Sequence, residues 1–478
     1  MNLAYTDYFA LAPLLLLFAT ALIVLAVETF AETSKKLLPL ITFSGLLLAL
    51  YTACICPSSL NPLLTPWLKF DALARFFSIL FLSIGIGTLA ISSSFFKRFD
   101  AGRAEFYFLL LSSIFGLILL SSANDFLTFF IGLETLSIAL YVLCSYMKKW
   151  SASHEASFKY FLLGSISTSL LLFGIALLYG ATGTTRFDML PEAIKTLNPE
   201  GNTLFMGGIA LISASLLFKA AIVPFHIWAP DVYAGAPTPV TAFMSVGTKA
   251  GAFAALIRLF LVTFPTFDPL WHQIIAMLAI ATLLFANFVA MRQTNLRRFF
   301  AYSGISHAGF LLIPLAASTV ESAPSMLFYL VVYTLATLGA FACLSFLDDK
   351  PEGPTLTDLK GLFSQSPLLA GCFAFCLLTL GGIPPTIGFF AKFYLLKVAF
   401  SAGYYTLVIV GLLTTILAAF YYLRIVATMF QQREEATAKI LTSWPALVTS
   451  GISTVAILAL CFYPEPLISL FTAVCTSI

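Results

Sequence analysis

The chain has 478 residues; 60% are drawn from AVILMFWYC and only 10% are charged, against roughly 25% charged in an average soluble domain. With a mean hydropathy of +0.97, it holds too little polar sequence to cover a globular surface, which excludes soluble, disordered, collagenous and disulfide-scaffold classes. Lipid is the solvent that fits, and a net charge of +3 names no partner class and gives no sign of nucleic acid.

Fourteen apolar segments follow in chain order, near 9–30, 37–56, 72–95, 105–122, 125–147, 158–181, 203–229, 238–262, 270–291, 297–318, 323–347, 367–400, 404–430 and 445–473. They are too long for barrel strands and do not alternate. The predicted fold is therefore all-α, a polytopic membrane protein of about 14 transmembrane helices. The first segment, Phe9 to Val27, has no basic flank or clear cleavage site and reads as a retained helix. Connections are short, so 1–478 reads as a single integral membrane domain.

Two long segments read as broken helices: the seventh, with Pro224, and the twelfth, with Gly381, Gly382, Pro384 and Pro385. Proline removes a backbone donor and frees carbonyls one turn away. The last segment is interrupted by Pro464 and Pro466. The two breaks lie five helices apart, and an odd offset inverts a copy. The expected layout is helices 1–3 in 1–100, a first five-helix repeat (helices 4–8) in 101–262, an inverted second repeat (helices 9–13) in 263–430, and helix 14 in 431–478.

Alternate connections, starting with the one after helix 1, carry most of the loop Lys and Arg, among them Lys35, Lys36, Lys97, Arg98, Arg297, Arg298, Arg433 and Lys439. The others carry only Lys69, Arg186 and Lys195. The positive-inside rule then puts both termini on the non-cytoplasmic side. Arg75, Arg258 and Lys397 fall near helix ends and read as snorkelling. The eight cysteines, at 54, 56, 144, 343, 372, 376, 461 and 475, form no CxxC pair. They read as small hydrophobes, and no metal site is expected.

Four ionisable residues fall near the middle of apolar segments: Glu134 in the fifth, Lys219 in the seventh, Lys249 in the eighth and Lys392 in the twelfth. Each costs about 2.5–3.5 kcal/mol at the centre of a span. One acid cannot pair three lysines, so an ion pair that merely locks helices does not account for the set. A desolvated lysine can exchange protons near neutrality, whereas arginine stays charged. The pattern predicts a chain of protonatable groups across the membrane, with Glu134 gating one lysine. His307, in the tenth segment, sits where the second repeat would place the counterpart of Glu134, and reads equally as a relay group or a satisfied core histidine. His226, beyond Pro224, reads as hydrogen-bonded near the interface. His154 and His272 read as loop or helix-end residues, and Glu28 and Asp125 as interfacial.

The run FKAAIVPFHIWAPDVYAGAPTPVTAFMSVGTKAGAFAALIRL at 218–259 resembles the antiporter-like proton-pumping subunits of respiratory complex I, the NADH–quinone oxidoreductase. GLETLSIALYVL, NLRRFFAYSGISHAGF and LGGIPPTIGFFAKFYLLKVAF resemble the same family, and the likeness covers nearly the whole chain. The resemblance implies that Glu134 is the helix 5 acid that pairs with the helix 7 lysine, Lys219. It makes Lys249 the central relay lysine and Lys392 the outlet lysine. It further implies a subunit of a proton-translocating NADH–quinone oxidoreductase in the bacterial inner (plasma) membrane, partnered by other membrane and peripheral subunits, lipid and protons. No cofactor is expected in this chain: NADH, flavin, iron–sulfur clusters and quinone would belong to partner subunits. The sequence accordingly has no GxGxxG after a strand and no cysteine cluster. The competing expectations are a cation/proton antiporter without redox coupling and a passive membrane anchor.

Overall fold

The structure is a computed structural model that describes residues 5–30, 34–55, 63–99, 101–197, 202–264, 269–348, 350–432 and 444–476. The segments become α1 (Tyr5–Phe30), α2 (Ser34–Ile55), α3 (Ala72–Phe99), α4 (Ala104–Ser122), α5 (Phe126–Cys144), α6 (Ser151–Thr182) and α7, split into α7a (Thr203–Ala220) and α7b (Trp228–Gly235). Then come α8 (Thr238–Thr263), α9 (Pro269–Ala290), α10 (Leu296–Ala317), α11 (Ser322–Leu344), and α12a (Pro367–Gly381) with α12b (Ile387–Ser401). Last are α13 (Tyr405–Met429), α14a (Trp444–Phe462) and α14b (Glu465–Thr476). Thirteen helices among the described residues are long and apolar enough to cross a membrane, and α12 makes up the expected fourteenth from two halves. The chain is thus an all-α, multi-pass membrane protein.

The helices close into two rings. From α4 to α8 each packs on the next, and α8 returns to α4; from α9 to α13 the same order holds, and α13 returns to α9. Without a hydrophobic drive between helices in lipid, close backbone approach supplies the attraction. A Cβ on Gly116 of α4 would lie 2.6 Å from the Leu136 amide, and one on Gly132 of α5 would lie 2.6 Å from that of Leu120. The rings meet where α7b packs on α10 and where α8 packs on α10 and α11.

A buried arginine–aspartate clamp stands toward each end of α8. Arg258 donates to both Asp71 oxygens at 2.9 Å and to the Ser121 carbonyl at 3.0 Å, tying α8 to the start of α3 and the end of α4. Burial alone would raise the Asp71 carboxyl, but Arg258 outweighs it and holds the group below its ordinary value. At the other end Arg297 of α10 donates to Asp348 at 2.5 Å and to the Thr238 hydroxyl at 2.9 Å. Thr238 also bonds Asp348, and Arg98 of α3 donates to the Asp348 carbonyl.

These clamps correct two sequence readings. Arg258 does not snorkel, being only 3% exposed, and Arg297 is not a loop charge, being fully buried. Position near a helix end shows depth, but not the acid that distant chain brings alongside. Arg75 is exposed, and Lys397 is exposed with its ammonium 3.4 Å from Glu321, as snorkelling residues should be. Cys56, Arg433, Lys439 and the side chains of Lys35 and Lys36 lie outside the described residues.

Arg258→Met is expected to cost about 3–5 kcal/mol, because it leaves Asp71 charged, buried and unpaired. The double change Arg258→Met with Asp71→Leu should recover most of that loss. Thermal unfolding of the assembled protein in detergent reads both; a single variant as stable as its parent would remove the clamp from the supports of α8.

Candidate functional site

Both broken helices end the same way. α7a stops at Ala221 in the left-handed region (φ 57°), and α12a stops at Gly382 (φ 74°). The Ala221 amide bonds the Phe218 carbonyl and Ile222 bonds Leu217; Gly382 bonds Thr379 and Ile383 bonds Leu378. That closes part of the exposed helix end. Further carbonyls still need donors, since lipid supplies none. At the first break the Trp228 indole also donates to the Phe218 carbonyl at 2.9 Å. At the second the Lys392 ammonium donates to the Gly381 carbonyl at 2.9 Å and sits 4.9 Å from the centre of the Phe310 ring.

Lys219, on the last turn of α7a, donates to the Ser137 hydroxyl at 2.7 Å and lies 3.5 Å from that of Tyr141. Glu134 sits about one turn earlier on α5 and accepts from Thr168 of α6 at 2.6 Å. The direct Glu134–Lys219 pair implied by the family resemblance is absent among the described contacts: each group has its own hydroxyl partner. Glu134 and Ser137 lie one turn apart on α5, so the acid stands one turn from the hydroxyl that Lys219 binds.

Lys249 lies at the end of a π-helical stretch, Met244–Thr248. Widening of this kind frees a backbone carbonyl. The Ser245 carbonyl here faces two donors, Lys249 at 3.4 Å and Tyr333 of α11 at 3.0 Å. Lys249 also donates to the Tyr233 hydroxyl of α7b at 3.0 Å. Its ammonium fits because Gly304 of α10 has no side chain: a Cβ there would lie 2.7 Å from it.

His307 comes next. Its ring lies 4.8 Å from that of Tyr333, with Nδ1 2.7 Å from the Tyr329 hydroxyl and Nε2 3.4 Å from that of Tyr422. Beyond it a small cavity is lined by His307, Tyr329, Tyr333, Thr379 and Lys392. Its volume is about 10 Å³, near the size at which one water fits. Lys249, Tyr333, His307 and Lys392 therefore form one line from the first ring into the second, and all four side chains are buried. Lys219 and Glu134 lie in the first ring, outside this line.

Other expected positions differ. His226 is buried, its Nδ1 has no hydrogen-bond partner, and its ring meets Phe285 edge-on at 4.7 Å. Asp125 is 2% exposed and caps α5 through the Leu127 amide, so it is structural rather than merely interfacial. Tyr233, Tyr329 and Tyr333 were not legible as site residues. For Tyr329 and Tyr333 the one signal was a hydroxyl within an apolar span, which needs a partner there; Tyr233, between the seventh and eighth segments, gave none. No group of three or more His, Cys, Asp or Glu among the described residues is placed to hold a metal ion.

The break in α12 tolerates no extra methyl at Gly388, where a Cβ would sit 1.8 Å from the Thr379 carbonyl oxygen. Gly388→Ala is expected to destabilise the protein by about 1–3 kcal/mol. An unchanged thermal midpoint in detergent would contradict the packing of the two halves.

The family described as NADH:quinone oxidoreductase/Mrp antiporter, TM, matches residues 123–418. NADH-quinone oxidoreductase subunit N of Protochlamydia amoebophila is 54% identical over 98% of both chains. That of Chloroflexus aggregans is 36% identical over 97% of this chain and 96% of its own. Among solved structures, a chain of respiratory complex I from Thermus thermophilus superposes with a TM-score of 0.82 at 32% identity, covering 96% of this chain and 98% of that one. A chain of the Mrp complex from Dietzia has a TM-score of 0.84 at 22% identity, covering 98% and 97%, and shares the fold. The chain belongs to the NADH:quinone oxidoreductase/Mrp antiporter membrane family, in its subunit N group.

Proposed function

We propose that this chain is the proton-translocating N subunit of an NADH–quinone oxidoreductase, and that Glu134, Lys219, Lys249, His307 and Lys392 form its proton relay. The observation that carries the reading is the buried line from Lys249 past Tyr333 and His307 to Lys392. An ammonium in a dry bundle holds its proton weakly enough to exchange it. Hydroxyls can accept from one neighbour and donate to the next, and a cavity near the size of one water adjoins His307, Tyr333 and Lys392. The Ser245 carbonyl orients Lys249 and Tyr333 together. Glu134 acts on Lys219 through its field, one turn away on α5, so a change in their separation changes how tightly Lys219 holds its proton.

The two closed rings and their matching left-handed caps support 101–262 and 263–430 as inverted repeats. A proton would enter from the cytoplasmic side near Lys219 or Lys249, pass laterally to Lys392, and leave on the other side, where both termini lie. The membrane is the bacterial inner membrane. Flavin, iron–sulfur clusters and quinone belong to partner subunits, which deliver the redox energy.

Lys249→Ala in sealed membranes should lower NADH-driven proton uptake by tenfold or more, with the complex still assembled on a native gel. Lys249→Arg should fail similarly, because arginine keeps its proton. Full pumping by assembled Lys249→Arg would make the position a fixed charge and not a carrier. Tyr333→Phe, which deletes only the hydroxyl beside the Ser245 carbonyl, should reduce pumping several-fold, and wild-type pumping would take Tyr333 out of the path. If a Na⁺ gradient moved protons while NADH did not, the subunit would be an antiporter instead.

A further inference from the structure

Away from the relay, α3, α11, α14a and α14b enclose a long lateral groove. Its wall is mostly apolar, with Phe76, Ile79 and Ile86 from α3, Leu335 from α11, and Ile452 and Leu470 from α14; Ser83 of α3 faces it midway. Along α3 it runs from Ala72 to Gly87, about 22 Å of helix, which exceeds the roughly 15 Å of one hydrocarbon leaflet. Its volume is about 750 Å³. A slot of that length and lining can take extended alkyl chains.

One cation stands at the groove, and at its end. Arg75 lies on the first turn of α3, where the helix enters the membrane. It is exposed, and its guanidinium has no hydrogen-bond or ion-pair partner among the described residues. The neighbouring acid does not neutralise it, because Asp71 already binds Arg258 through both oxygens. An unpaired cation at the interface, above an apolar slot deeper than one leaflet, has the form of a phospholipid: phosphate above, acyl chain below.

We propose that this groove is a phospholipid site, with the phosphate held by Arg75 and an acyl chain lying between α3, α11 and α14. The bound chain keeps the back of α11 dry, while the opposite side of that helix presents Tyr329 and Tyr333 to the relay.

The test uses the whole complex in mild detergent and phosphatidylglycerol carrying a photoreactive diazirine midway along one chain. Labelled peptides should map to α3, α11 and α14. Ile79→Trp, which fills the groove, should cut this labelling at least fivefold. Arg75→Gln should cut it about threefold, and Arg75→Lys should restore it. Ser83→Phe is the second filling variant, should Ile79→Trp fail to assemble on a native gel. Labelling that ignores the filling variants overturns the site. Equal labelling by a diazirine fatty alcohol, insensitive to Arg75→Gln, overturns the phosphate contact. Occupation by a quinone tail or a neighbouring subunit's helix, seen as a crosslink in place of lipid, overturns the choice of ligand.

Discussion

Everything in this bundle answers to one constraint: in lipid, a polar or charged group must find its partner inside the protein. The Lys392 ammonium meets the constraint by capping the carbonyl that the α12 break sets free. Lys249 meets it through a carbonyl that a π-helical stretch turns inward and through the Tyr233 hydroxyl. Lys219 meets it with a serine and a tyrosine of the neighbouring helix. In each case the irregular or polar element serves the charge, and the charge serves the irregular element. Removing either leaves an orphan in a medium that cannot hydrate it.

The two breaks solve one backbone problem with different side chains. Matching left-handed caps close α7a and α12a. Behind the first, the Phe218 carbonyl that already accepts the Ala221 amide also receives an indole, while the Gly381 carbonyl behind the second receives an ammonium. The titratable group therefore sits before the break in one ring and after it in the other. The Arg258 and Arg297 clamps serve a different end. Arginine keeps its charge, so it suits joints that must not titrate, and both clamps grip the elements around α8, the helix that carries the central lysine.

Much of the fold was legible because long apolar runs and proline breaks are local properties. The fourteen segments, the two broken helices and the last interruption all appear where residue type placed them, since span length and backbone donors depend on adjacent residues alone. Lys219, Lys249 and Lys392 were legible for the same reason: a charge in the middle of an apolar run is conspicuous without any partner in view. Tyr333 was not, because one tyrosine among 18 looks like packing until the Ser245 carbonyl is seen beside it. Arg258 was misread because its acid, Asp71, comes from a distant part of the chain.

The sequence by itself determined the solvent, the number of crossings, the sites of backbone rupture and the buried charges, all of which follow from the free energy of placing each residue in hydrocarbon. Only the tertiary structure decided who touches whom. It gave Glu134 and Lys219 separate hydroxyl partners, put Gly304 where an ammonium needed room, and set His307 between Tyr333 and Lys392. It also left Arg75 alone above an apolar groove. Those outcomes depend on close packing between helices far apart in the chain, and hydrogen bonds fail within an ångström of misplacement, a precision that no residue-by-residue preference carries.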